Sequence, residues 1–344
     1  MKKRDAYARA GVDVARVREI QDSVAAVLGT TFDLRGAGFG RPLMKIGHYA
    51  GLIDIGHGEA LALHTDGVGT KVLVAIKLKR YDTVGIDCVA MTANDLICVG
   101  AEPAALLDYI ALEKEDDHLV LELTKGLVEG AKQASAPIVG GETAIMENVK
   151  GFDLVSMGVG VVRKDRILDG SSIVDGDRVI GIASSGLHSN GYTLARKVLL
   201  AKRSPGEWVP ELGTSIGDAM LTPTLVYVGP ALEVLKEREV HGLAHITGGA
   251  FTKLTRLVGR RKLEFALIDR AAPPIFGLIR KEGGLSKKEM YRTFNMGVGL
   301  CVCAPESEED AIIRAFQRRG FDAFDFGEVR LGSGVLVGKT RLTP

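Results

Sequence analysis

Three short stretches in the first half of the chain set carboxylates beside glycines or amides. The first is Asp66-Gly67-Val68-Gly69-Thr70-Lys71, between two hydrophobic segments. Gly67 and Gly69 free backbone N–H groups, Thr70 adds a hydroxyl and Lys71 a cation. That set suits a magnesium-bound phosphate, with the carboxylate on the metal and the amides and lysine on phosphate oxygens. Taken alone, a tight turn with an exposed lysine accounts for it equally well. The second is Asn94-Asp95, on a helix expected over 85–99. There Asp87 and Asn94 are nearly eclipsed and make a polar stripe on an apolar helix. Alone, a solvated face is the better account of that stripe. The third is Gly140-Gly141-Glu142-Thr143, where a glycine pair lets backbone approach a ligand and then presents a carboxylate; an ordinary turn explains it as well. Magnesium takes a few carboxylates together with phosphates and water, so Asp66, Asp95 and Glu142 point to one acidic metal–phosphate site more strongly together than singly.

The second half offers Ser184-Ser-Gly-Leu-His188-Ser-Asn190-Gly-Tyr192, a Ser/Gly loop before a helix and a place for an acid–base group or an anion contact. His241 and His245 have a metal-ligand spacing, but His245 runs into Ile-Thr247-Gly248-Gly249 with no third ligand in view, which favours structural or capping roles. Phe294-Asn295-Met-Gly-Val-Gly299 is another glycine-spaced turn with one amide side chain. The four cysteines, 88, 98, 301 and 303, form no C-x-x-C pair and read as buried reduced thiols. The tail GSGVLVGKT mimics a phosphate loop, yet Ser333 stands where that pattern needs glycine, so a strand–turn is expected. The dinucleotide fingerprint fails at Gly36 and Gly158 for want of a third glycine.

The elements that must carry these groups follow from periodicity. Helices are expected over 14–28, 85–99, 117–134, 189–201, 218–238 and 307–319, and a glycine turn entering a helix over 245–258. Strands are expected over 49–55, 60–65, 104–112, up to Gly140, 152–163, 179–183, 296–304 and the last twenty residues, with a loop from Gly140 through Asn148. The Asp-Gly turns of RILDGSSIVDGDRVIGIAS place a domain boundary near 168–177. The order implies an α+β fold of two mixed α/β sandwich domains, 1–170 and 171–344, and not a doubly wound sheet. With 344 residues, 44 Lys plus Arg and 43 Asp plus Glu, there is no electrostatic case for nucleic-acid binding. No apolar run is long enough to span a membrane, and the basic N-terminus lacks an apolar core. A cytoplasmic protein with no nucleic-acid or membrane partner is expected.

Read in order, YARAGVD, TDGVGTK, DTVGIDCVAMTANDL, GAEPAALLDYIA, IVGGETA, SSGLHSNGY, HITGGAF and MYRTFNMGVG resemble the phosphoribosylformylglycinamidine cyclo-ligase (aminoimidazole ribonucleotide synthetase) family along nearly the whole chain. The resemblance implies ATP-dependent ring closure of formylglycinamidine ribonucleotide. ATP phosphorylates the formyl amide oxygen, the amidine nitrogen attacks that carbon, and ADP and phosphate leave. It implies ATP and Mg2+ as cofactors and a homodimer built on the N-terminal domains. It assigns Asp66, Asp95 and Glu142 to magnesium, and Gly67, Gly69, Thr70, Lys71, Asn94, Gly140, Gly141 and Thr143 to the nucleotide. Asn190, Thr247, Gly248, Gly249 and Asn295 fall to the substrate, and His188, Asp95 and Lys71 to catalysis. Two stretches depart from the family pattern: Gly47-His48-Tyr49 replaces Gly-Gly-Phe, and Ile145-Met-Glu-Asn148 replaces Glu-Met-Pro. The synthetase of the preceding purine step and a non-catalytic nucleotide-binding subunit are the alternatives.

Overall fold

In the computed structural model, residues 14–342 are described; the 7–13 stretch YARAGVD lies outside them. The first half builds a five-stranded sheet in the order β1 (Gly51–Gly56), β2 (Glu59–Gly67), β5 (Phe152–Arg163), β3 (Glu102–Leu112), β4 (Ile138–Ile145). Only β3 and β4 run parallel. They are joined by a crossover helix, as parallel neighbours require. Helix α1 (Val14–Gly29) precedes the sheet, and α2 (Val72–Leu78), α3 (Asp82–Ile97) and α4 (Asp117–Ala134) follow its strands. α4 opens on Asp116, whose side chain accepts from the Leu119 N–H, and closes on Ser135 in the left-handed region.

α3 is buried along almost its whole length because one side packs on β2 and β5 and another on α4. The α3–α4 approach is close because glycines line it. A Cβ on Gly85 would overlap the backbone at Gly126 and Leu127, and one on Gly130 would press on Val89. The opposite face of the sheet is different. Val155, Met157, Val159 and Val161 of β5, Leu61 and Leu63 of β2, and Leu107 of β3 are only half-buried there, and Tyr109 is exposed.

The second half forms a seven-stranded sheet, β14 (Thr340–Leu342), β13 (Gly334–Val337), β10 (Leu263–Leu267), β12 (Ala323–Leu331), β6 (Arg178–Ala183), β11 (Val298–Ala304), β9 (Gly242–His245). Its helices are α5 (Tyr192–Leu199), α6 (Ile216–Leu221), α7 (Val228–Glu237), α8 (Thr255–Val258), α9 (Pro274–Gly283), α10 (Lys287–Thr293) and α11 (Glu309–Arg318), and a two-strand ribbon pairs β7 (Trp208–Val209) with β8 (Thr214–Ser215). The fold is α+β with mixed sheets.

Several expectations change. The helix expected over 218–238 is two helices, broken at Thr222–Tyr227 around Pro223, which cannot continue an i→i−4 ladder. The loop expected after Gly140 is strand, because β4 runs on to Ile145 alongside β3. The helix expected over 189–201 starts only at Tyr192, after Gly191 in the left-handed region. The phosphate-loop mimic is a strand–turn–strand, β13 to β14. The polar stripe of α3 is not solvated: Asp87, Asn94 and Asp95 are buried.

Candidate active site

Asp66 lies at the end of β2, and its Oδ1 accepts from the Gly67 N–H at 2.8 Å. Asp95, from α3, is near enough for its charge to act on Asp66, and it is the meeting point of both halves of the chain. His245, at the end of β9, donates from Nδ1 to Asp95 Oδ1 at 2.8 Å, and His64 Nε2 from β2 stands 3.4 Å from Oδ2. His245 Nε2 lies 3.5 Å from Asn94 Nδ2. Burial opposes ionisation of Asp95, yet the His245 hydrogen bond and the charges of Lys253, His245 and His64 hold its carboxyl below the ordinary value. Burial, and then the neighbouring Asp95 charge, push Asp66 above its ordinary value. Two carboxylates in unlike surroundings thus share one spot.

Lys253 completes that spot. Its Nζ donates to the Thr247 hydroxyl and lies 5.5 Å from the centre of the Tyr49 ring, with the Arg256 guanidinium 5.9 Å from the same ring. Burial lowers the Lys253 ammonium while Asp95 raises it. His48 ring nitrogens and the Tyr49 hydroxyl are buried without a hydrogen-bond partner, and burial pulls His48 down to about 4. The two residues that depart from Gly-Gly-Phe therefore stand beside the acidic centre.

The histidine loop faces this centre from the second sheet. His188 is fully buried, in the left-handed region with φ of 58°. Its Nε2 accepts from the Ser185 N–H at 3.2 Å. Burial, then His245 and Lys71, hold its pKa well below 6.5. The ring is therefore neutral, with its one proton on Nδ1, and that atom is buried and without a partner. His188 presents an N–H donor and no free lone pair. Space for it comes from Gly299, where a Cβ would overlap Tyr227 and press on His188. The loop is anchored in the core, with Leu187 and His188 both buried.

Asn190 lies against Gly248, whose added Cβ would be 3.3 Å from Asn190 Oδ1. Asn295 is fully engaged in shaping the loop, accepting from Ser184 Oγ and the Gly297 N–H and donating to the Gly186 carbonyl at 2.9 Å. Thr70 reaches across to Thr193 at 3.2 Å. Lys71, expected at phosphate, is fully buried, with Nζ 2.7 Å from Asp87 Oδ2 and donating to the Thr222 carbonyl at 2.7 Å. Asn94 donates to the Leu225 carbonyl and accepts from the Tyr227 N–H. Gly140, Gly141, Glu142 and Thr143 are exposed on β4, three strands from β2. Glu142 pairs in register with Tyr109 and so faces the half-buried side of the sheet, not the helix side. Within one chain, the structure brings Asp66 and Asp95 together and leaves Glu142 apart.

Magnesium needs only one or two carboxylates when phosphates and water fill the rest of its octahedron. Asp66 and Asp95 fit that requirement. Among the described residues no group of three or more His, Cys, Asp or Glu could hold a metal by protein ligands alone. His241 pairs with Asp177 and Glu239, away from His245. The four thiols are buried, and burial raises each. His64, Lys253, Arg256 and Tyr227 went unread in the sequence because each gains its meaning from a neighbour distant in the chain. His245 was read as structural, and its contact with Asp95 had no signal beyond the adjoining Thr-Gly-Gly.

Comparison with known proteins places these halves. Residues 47–162 match the AIR synthase related protein N-terminal domain and residues 174–337 its C-terminal domain. The phosphoribosylformylglycinamidine cyclo-ligase of Methanosarcina barkeri is 48% identical over 88% of this chain and 89% of its own. That of Thermococcus kodakarensis is 44% identical over 96% and 97%. The fold recurs in AaThiL complexed with AMPPCP and TMP, at TM-score 0.64 and 17% identity over 93% of this chain and 94% of that one.

Proposed function

The chain belongs to the phosphoribosylformylglycinamidine cyclo-ligase (AIR synthase) family, and we propose from that membership that it closes formylglycinamidine ribonucleotide to aminoimidazole ribonucleotide with ATP in purine biosynthesis. The observation that carries the site assignment is Asp95, a buried carboxylate of the first half hydrogen-bonded to His245 of the second, with His64 Nε2 3.4 Å from its other oxygen.

In this reading the γ-phosphoryl group moves from ATP to the formyl amide oxygen, leaving ADP. The amidine nitrogen then bonds to the same carbon, the carbon–oxygen bond breaks, phosphate departs and the nitrogen loses a proton. Asp66 and Asp95 would hold Mg2+, which supplies charge neutralisation at the phosphates. With the Gly67 and Val68 amides already bonded to Asp66 Oδ1 and the Leu154 carbonyl, the Thr70 hydroxyl is the donor offered at the same sheet end, and Lys253 is the cation beside it. His188 Nδ1–H donates to oxygen as negative charge develops during attack and phosphate loss; a donor fixed in a dry site needs no reorganisation at that moment. Its engaged Nε2 and depressed pKa exclude a general-base role. Thr247, Gly248 and Asn190 bound the substrate side. Lys71, Asn94 and Asn295 act by shaping the site.

We divide the chain into 1–170 and 171–344, the first unit carrying the nucleotide, and we assign it to the cytoplasm as a homodimer without nucleic-acid or membrane partners. The half-buried apolar sheet face supports a second copy, the near-neutral charge speaks against nucleic acid, and no described helix is long and apolar enough to cross a membrane. Such a copy is also the route by which Glu142 would join a site. The test is turnover of formylglycinamidine ribonucleotide by purified protein with Mg-ATP and no ammonia source. Stoichiometric ADP and aminoimidazole ribonucleotide are expected. ADP release only with a nitrogen donor, or none at all, overturns the reading.

A further inference from the structure

The break between α6 and α7 leaves a stretch, Thr222–Tyr227, outside any helix or strand, and its buried backbone polar groups must find other partners. Side chains from the first half of the chain supply them. The Thr222 carbonyl accepts from Lys71 Nζ at 2.7 Å, the Thr224 N–H donates to Asp87 Oδ1 at 2.8 Å, the Leu225 carbonyl accepts from Asn94, and the Tyr227 N–H donates to Asn94 Oδ1 at 2.8 Å. Lys71 and Asp87 are both fully buried and 2.7 Å apart. The stretch in turn grips the histidine loop at two points: Ser185 Oγ donates to the Pro223 carbonyl, and Ser189 Oγ is 3.3 Å from Thr224 Oγ1. The polarity of the second contact is fixed. Thr224 Oγ1 gives its single proton to Asp87 Oδ1 at 2.6 Å, a carboxylate that can only accept, so Ser189 is the donor to Thr224. These two grips flank His188, and Ser185 also supplies the N–H that fixes the His188 tautomer.

We propose that the buried Lys71–Asp87 pair acts through Thr224 as a positioning device that holds the Ser185–Asn190 loop, and with it His188, in register with the acidic centre. The pair costs desolvation and is no simple gain in stability; its use is geometric. Lys71 and Asp87 touch no reacting atom, and the claim rests on the role given to His188 above.

The discriminating residue is Thr224, because valine matches its shape and leaves the Lys71–Asp87 pair and the Thr224 N–H bond in place. In full-length protein, Thr224→Val should speed amide hydrogen exchange across Ser185–Gly191 about tenfold while α4 and β11 exchange as before. It should lower kcat for ring closure about tenfold with the ATP KM unchanged. Thr224→Ser keeps the hydroxyl and should restore both. Unchanged loop exchange in Thr224→Val, or equal impairment in Thr224→Ser, overturns the proposal. If the wild-type chain does not close the ribonucleotide at all, the function reading fails while the exchange comparison still decides this one.

Discussion

His188 sits in a backbone conformation that costs most residues about 1–2 kcal/mol and suits asparagine better than other side chains. Asparagine is therefore the substitution that tests its chemistry with least damage to the turn. His188→Asn should lower turnover about 100-fold if the fixed N–H donor is lost. Because the ring is buried, the melting temperature should also fall, and a variant with full turnover would remove His188 from the mechanism. Asp95→Asn should weaken Mg-ATP use while leaving His245 a carbonyl to bond; wild-type ATP turnover across a magnesium titration would dismiss the metal assignment. The same histidines set a pH dependence. His48 falls to about 4 and His188 well below 6.5, both through burial, so the unfolded chain binds more protons than the folded one as pH drops below 6.5. Stability should fall with pH in that window, by up to about 1.4 kcal/mol per unit for each fully titrating group. His48→Gln should flatten the slope of unfolding midpoint between pH 6.5 and about 4; an unaltered slope contradicts a buried neutral His48. The sequence singled out Asp66 by the glycines that follow it, Asp95 by the adjoining Asn94 and His188 by its Ser/Gly loop. Lys71 was legible as a site residue but not in its placement: nothing local distinguishes a lysine aimed at phosphate from one aimed at Asp87.

α3 shows what periodicity conveys and what it omits. Its apolar spacing identified a helix over 85–99, close to the observed Asp82–Ile97. The polar positions were harder, since a stripe that faces water and one that faces another domain have the same spacing. Here Asp87, Asn94 and Asp95 each bond to the second half of the chain, which a single helix cannot reveal. Proline at 223 marked the interruption after α6, but the apolar residues on both sides masked it. Gly85 is where α4 makes backbone contact with α3. Gly126→Ala should destabilise the protein by about 1–3 kcal/mol through overpacking, since the new methyl meets the Asp82 carbonyl and neither helix can retreat without uncovering the core. Urea unfolding measures this directly. An unchanged midpoint would mean that α3 and α4 separate freely.

At the scale of the whole molecule, the two sheets meet along α3, and the alternation expected of a half-exposed sheet is blunted in β5. Its buried positions Leu154, Ser156, Gly158, Gly160 and Val162 alternate with Val155, Met157, Val159 and Val161, which are apolar and only half-buried. A strand apolar on both faces fits a sheet covered on both sides, and helices α3 and α4 cover only one. The sequence could not say which side lacked a cover, because that depends on where the crossover helices fall. A face of this kind on an isolated chain favours association. Strand alternation sets Leu63, Met157, Val159 and Leu107 side by side on that face, so one charge at the centre should act on the whole patch. Val159→Lys in the full-length chain should shift sedimentation from dimer to monomer. Its secondary structure should be intact, because residue 159 already stands half in solvent. Two like charges facing each other across a symmetric interface repel, and each buried charge carries a desolvation cost of several kcal/mol. A variant still dimeric at micromolar concentration would place the contact elsewhere, on the exposed apolar residues of α1, Val17, Ile20, Val24 and Val27. A wild-type chain that sediments as a monomer would remove the homodimer altogether.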